Sequence, residues 1–107
     1  MIKFKYILPE DIGSLVRGSM ATPYAGYLVG YLPEELAHDL RHCYLYMVCE
    51  LDYNKKDNIN VYSNPVAIVA RNDGDALRTF STETGKDNGM IYGEICNRCD
   101  KIKVEAL

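Results

Sequence analysis

Apolar positions in this chain fall into short alternating stretches separated by polar, glycine- and proline-bearing turns, a pattern of strands with brief helices between them. The strictest alternation runs from Cys43 to Leu51. Cys43, Leu45, Met47, Cys49 and Leu51 share one face, and Tyr44, Tyr46, Val48 and Glu50 share the other. Ile2 to Leu8 repeats the pattern, with Ile2, Phe4, Tyr6 and Leu8 on one face. Between Tyr24 and Tyr31 two readings compete. A helix capped by Thr22-Pro23 would align Tyr24, Tyr27, Leu28 and Tyr31, but Gly26 and Gly30 would each weaken it by about 1 kcal/mol relative to alanine. A strand over Ala25 to Leu32 fits better. The polar run Asp52 to Asn60 reads as a hairpin loop, from which the chain returns through Ile59 to Tyr62, breaks at Asn64-Pro65 and resumes as a strand over Val66 to Ala70. Asn88-Gly89 then turns into a last strand, Met90 to Ile95.

Helix starts are marked by a phrase used twice, Leu8-Pro9-Glu10-Asp11-Ile12 and Leu32-Pro33-Glu34-Glu35-Leu36. Proline tolerates the first helical turn because its missing N–H would be unpaired there, and carboxylates suit the positive end of the helix dipole. The phrase predicts one helix from Pro9 to about Gly18 and a second from Pro33 to about His42, burying Leu36, Ala37 and Leu40. Asn72 or Asp73 caps a third, with Ala76, Leu77 and Phe80 inward and Gly85 as its stop. The expected architecture is therefore α+β. It is a single domain over residues 1–107 with a mainly antiparallel sheet of four to five strands and two or three short helices packed on one face.

Composition narrows the function classes. The 107 residues are 48% hydrophobic and 25% charged, enough for a packed core, with a net charge of −3. A mildly acidic chain lacks the broad basic surface that nonspecific nucleic-acid binding requires. No apolar run reaches the roughly 18 residues of a membrane span. Without a signal-peptide pattern at Met1 to Tyr6, the expected compartment is the cytoplasm, with reduced thiols.

Two constellations could carry chemistry. Cys96-Asn97-Arg98-Cys99 has zinc-knuckle or redox spacing, and His38 and His42 stand at i, i+4 on the predicted second helix, one turn apart on one face. Together these four would make a Cys2His2 zinc set with the histidines first. Cys43 and Cys49, roughly 20 Å apart along one strand, cannot share an ion and read as small core residues. The paired acids Glu10/Asp11 and Glu34/Glu35 are explained by helix starts, and adjacent helix residues do not converge. Phosphate loops, calcium loops and nucleophile elbows have no match here.

The second theme is tyrosine: nine, against two phenylalanines and no tryptophan. Tyrosine buries area while keeping a polar contact, which suits both a half-exposed sheet face and a protein interface. Tyr44 and Tyr46 lie off the predicted core face, and Tyr24, Tyr27 and Tyr31 cluster nearby. The strand–cap–helix unit Val66 to Leu77 resembles a unit found in many small proteins of phages and plasmids, through generic turn chemistry that names no family. The leading expectation is a non-enzymatic protein–protein interaction domain, an inhibitor or modulator of a larger machine of the phage or mobile-element type, needing no cofactor. It would bind another protein through Tyr24, Tyr27, Tyr31, Tyr44 and Tyr46. The alternative is a zinc-stabilised binding module held by His38, His42, Cys96 and Cys99.

Overall fold

The computed structural model describes residues 1–7 and 27–96. The predicted helix from Pro9, the residue Tyr24 and the tail carrying Cys99 lie outside them. Five strands, β1 (Ile2–Ile7), β2 (Tyr27–Leu32), β3 (Tyr44–Asn54), β4 (Ile59–Ala70) and β5 (Gly89–Cys96), form one sheet in the order β1-β2-β4-β3-β5. One helix, α1 (Asp73–Thr84), packs on it, so the described fold is α+β.

The sheet is mixed rather than antiparallel throughout. β1 pairs antiparallel with β2, and β3 pairs antiparallel with both β4 and β5. β4, however, returns from the hairpin into the place between β2 and β3 and runs parallel to β2, matching Gly30 with Ala67 and Tyr31 with Ile68. Adjacency of strands that are not consecutive in the chain is a long-range outcome that local alternation does not encode.

The second predicted helix is a correction. After Pro33, whose backbone is extended, only a 3-10 turn forms over Glu34–Leu36. The bonds that follow are all of the tight three-residue kind: Leu36 N to Pro33 O, Ala37 N to Glu34 O, Asp39 N to Leu36 O and Cys43 N to Leu40 O. Asp39 completes the diversion, its carboxylate accepting from the Arg41 backbone N–H at 3.1 Å and from the Arg41 guanidinium at 2.7 Å. A short acid that bonds its own neighbourhood competes with helical pairing. Leu36 is still buried, and Leu40 packs beside it.

Helix α1 follows its sequence signals closely. The Asn72 side chain accepts from Asp75 N at 2.9 Å, and Gly85, in the left-handed region at φ 72°, closes the other end. Its buried residues Ala76 and Phe80 lie on Tyr31, Tyr46, Val48, Ile68 and Ala70. The opposite side of the sheet buries Phe4, Leu28, Leu32, Leu36, Cys43, Leu45, Met47, Ala67 and Val69. Thus both faces of β3 are core near its start.

Two glycines let aromatic rings approach the backbone. A Cβ on Gly30 would stand 2.3 Å from the Phe4 ring, its directly opposed neighbour on β1, and one on Gly89 would stand 2.5 Å from Phe80. A bulge follows Val48: the register steps from Val48–Val66 to Glu50–Ser63, with Asn64 at φ 51°. The predicted break at Asn64-Pro65 is therefore a kink inside one continuous strand. Proline is tolerated there because β2 reaches only Ala67 and Ile68, leaving that side of β4 without a ladder partner among the described residues.

Candidate functional site

Strands β3 and β4 outrun their neighbours. The β5 ladder on β3 ends at Glu50, with Asn88 just before β5 still accepting from Leu51 N at 2.9 Å, and β2 meets β4 only at Ala67 and Ile68. Beyond those points the two strands continue as a ribbon, pairing Leu51 with Tyr62, Asp52 with Val61, Tyr53 with Asn60 and Asn54 with Ile59. The four residues Leu51–Asn54 alone project roughly 13 Å at the usual strand rise. The segment predicted as a loop over Asp52 to Asn60 is therefore mostly strand, with a turn of only four residues, Lys55 to Asn58.

Local chemistry builds that tight end. Asn54 Oδ1 accepts from the backbone N–H groups of Lys56 and Asp57 at 3.0 and 3.2 Å, and its amide nitrogen donates to Asp57 Oδ2 at 3.1 Å. Asn58 takes the left-handed conformation at φ 55°, which asparagine tolerates better than most residues. The Tyr53 hydroxyl donates to Asn58 Oδ1, tying the ring to the turn. Lower down, Asn64 donates to Glu50 Oε2 at 2.7 Å across the bulge.

The arm presents apolar side chains to solvent. Tyr53 is 55% exposed and Ile59 is 52% exposed, while Leu51, Val61 and Tyr62 are half-buried. Tyr62 meets Tyr92 of β5 edge-on, with ring centroids 5.8 Å apart. Leu51, Tyr53 and Tyr62 continue the sheet face opposite α1, because Cys49, Leu51 and Tyr53 alternate onward from Met47. Aromatic and aliphatic groups displayed on a two-stranded ribbon have the composition of a protein contact surface.

The tyrosines singled out from sequence divide. Tyr46 and Tyr31 lie in the layer under α1, 6% and 9% exposed. Burial pushes the Tyr46 phenol above its ordinary range, and the Asp73 and Glu94 carboxylates add to the shift. Tyr44 is exposed at the other end of β3, its ring 6.1 Å from that of Tyr46. Tyr27 is half-buried, with Lys5 Nζ 4.6 Å from its ring centre. Sequence reasoning passed over Tyr53 and Ile59 because both sit within a polar run. The signal was present in Leu51 and Tyr53, which extend the alternation of β3 by one more step.

Of the four candidate zinc ligands, the two histidines are not carried on a helix. His38 and His42 are exposed on turns, so the i, i+4 argument for a shared face no longer applies. Cys96 ends β5 opposite Leu45, and Cys99 lies outside the described residues. Among the described residues no group of three or more His, Cys, Asp or Glu side chains converges. Cys43 and Cys49 are buried free thiols, as their alternation implied. Burial pushes both upward in pKa, Cys49 to about 11, so each is a protonated thiol at neutral pH rather than a nucleophile.

A cleft of about 220 Å3 opens where Pro33 and Leu36 face α1, with Arg71, Asp75 and Arg78 on its rim. It is smaller than the roughly 300–1,000 Å3 of most small-molecule sites, and Arg78 is already spent on Asp75 at 2.9 Å. No helix among the described residues is long and apolar enough to cross a membrane. Comparison with known proteins finds no matching family model, no matching curated protein and no matching solved structure.

Proposed function

We propose that the chain is a non-enzymatic protein-interaction domain that binds through its β3–β4 arm, acting as a small inhibitor or modulator of a larger assembly. One observation carries this reading: a ribbon that extends past its neighbouring strands holds Tyr53 and Ile59 more than half exposed at its tip. Burying those side chains and the adjoining Leu51 and Tyr62 in a partner would supply apolar area, while the hairpin hydrogen bonds keep the loss of conformational freedom on binding small. The partner site is an apolar cleft on another protein. A cytoplasmic setting and a phage or mobile-element origin belong to the same proposal and rest on sequence character alone.

The test is a Tyr53→Ser, Ile59→Ser variant compared with the parent as immobilised bait. Both side chains are exposed, so the thermal midpoint stays within a few degrees of the parent. The partner retained by the parent is lost from the variant. Equal retention by both overturns the assignment.

A second reading, a zinc-stabilised module, is favoured by one juxtaposition. The β5 register sets Cys96 opposite Leu45, so the Cys-x-x-Cys motif begins beside the start of β3, three positions after His42. Zinc bound at one per chain, and lost from a Cys96→Ser, Cys99→Ser variant, would select this reading, with unfolding by chelator as its companion sign.

A further inference from the structure

Asn88 ties the root of the arm to the start of β5. Its carbonyl accepts from Leu51 N at 2.9 Å, and its side-chain Nδ2 donates to Leu51 O at 3.4 Å and to Asp52 Oδ1 at 3.3 Å. Both side-chain partners are acceptors, so this position calls for a donor. Gly89 is fixed just as firmly, because a Cβ there would stand 2.5 Å from the Phe80 ring. The arm's root and the packing of α1 together therefore impose the dipeptide Asn88-Gly89. Of the seven asparagines in the chain, Asn88 alone precedes a glycine.

That dipeptide has a reaction of its own. A backbone nitrogen can attack the carbon of the preceding side-chain amide, and glycine alone puts no side chain in the way of the approach. Here the Gly89 nitrogen bonds to Asn88 Cγ and gives up its proton, the Cγ–Nδ2 bond breaks, and ammonia departs with that proton. Water then opens the succinimide ring. Cleavage of the new Cγ–N bond leaves aspartate, and cleavage of the original backbone C–N bond leaves an isoaspartyl link. The net change in either case is water gained and ammonia lost. Glu50 and Gly89 oppose each other beside the Leu51 N to Asn88 O bond, in a widely spaced pair, so the β3 ladder does not hold the Gly89 N–H. Asn88 itself is half-buried and precedes the strand.

We infer that Asn88 is a site of spontaneous deamidation that loosens the arm at its root. The product carboxylate faces the Leu51 carbonyl and the Asp52 carboxylate, so two donated hydrogen bonds give way to repulsion between acceptors. A ribbon released there loses the order that limits the entropy lost on binding. This consequence for binding rests on the arm being the contact surface, whereas the chemistry does not.

The test begins with folded protein aged in mildly alkaline heavy-oxygen water. Peptide mass mapping should find Asn88 converted to a heavy-oxygen acid while the other asparagines remain amides, and Asn88→Gln should leave that position unconverted. Hydrogen exchange at Leu51 N should be about tenfold faster in Asn88→Asp than in the parent, as expected for the loss of a hydrogen bond. The increase should be smaller in Asn88→Ala, which removes the donor without adding charge. Should Asn88→Asp fail to fold, the aged parent, separated by anion exchange through its added negative charge, supplies the same measurement. Asn88 intact in the folded chain after the urea-unfolded chain has converted, earlier conversion of another asparagine, or unchanged exchange at Leu51 in the acid form would each overturn the inference. Both readouts use the chain alone, so their failure leaves the Tyr53 and Ile59 contact proposal standing, and failure of that proposal leaves the deamidation standing.

Discussion

Strands β3 and β4 pass through two environments, and the contrast between them carries the functional argument. From Leu45 to Val48 and from Ala67 to Ala70, both faces are sealed: α1 covers Tyr46, Val48 and Ile68, while Leu45, Met47 and Ala67 join Phe4, Leu28 and Leu36 on the other side. A few residues further on, the same alternating chain makes a ribbon with Tyr53 and Ile59 in solvent. Backbone pairing is the same in both regions. What differs is whether a third element covers the side chains. A tyrosine in the first region, such as Tyr46, is core, and a tyrosine in the second is surface available for contact. Stability should therefore reside in the body, and binding in the arm.

The contrast breaks if changes in the arm cost as much stability as changes in the body. Phe80→Ala removes a ring that is 1% exposed between α1 and the sheet and should cost about 3–5 kcal/mol in urea-unfolding experiments. Gly30→Ala should cost about 1–3 kcal/mol, because the new methyl would meet the Phe4 ring and something must shift. The Cys49 thiol supplies a body-specific pH dependence. Its pKa is raised in the fold from an ordinary value of 9.0 to about 11, so the protonated form is the one the fold favours. That contribution is fully present below pH 9 and is lost as pH rises through about 11. Alkaline unfolding monitored by circular dichroism should show this loss in the parent and less of it in Cys49→Ala. Smallest of all, Tyr53→Ser, Ile59→Ser should change stability by about 1 kcal/mol, since both positions are exposed and the main loss is the Tyr53 hydroxyl's bond to the turn. A loss comparable to that of Phe80→Ala would make the arm part of the core and remove its availability for a partner.

Much of the body was legible in local sequence. Strict alternation located β3, and its apolar face of Cys43, Leu45, Met47 and Cys49 is buried as expected. Asn72 and Gly85 marked both ends of α1, since capping depends on side chains within a few residues. The Pro33 phrase carried the same helix-start signals but stopped after one 3-10 turn, because Asp39 and Arg41 bond each other and the chain must enter β3 at Tyr44. Parallel pairing of β2 with β4 joins distant segments and leaves no local mark. The arm was missed for a related reason. Asn54-Lys55-Lys56-Asp57-Asn58 has turn composition, and composition does not reveal how far the flanking strands run before the turn. The partner residues proposed from sequence rested on facing away from one core side, whereas α1 had turned that second side into core for Tyr31 and Tyr46.

The most direct measurement is site-specific photo-crosslinking in cells that carry the native partner, with the photoreactive residue placed in turn at Tyr53, at Tyr44 and at Ser81 on the outer side of α1. The account predicts a discrete crosslinked product from position 53 that is absent from positions 44 and 81. Equal crosslinking from all three sites, or a product from 44 or 81 with none from 53, would contradict the assignment of the arm as the binding surface.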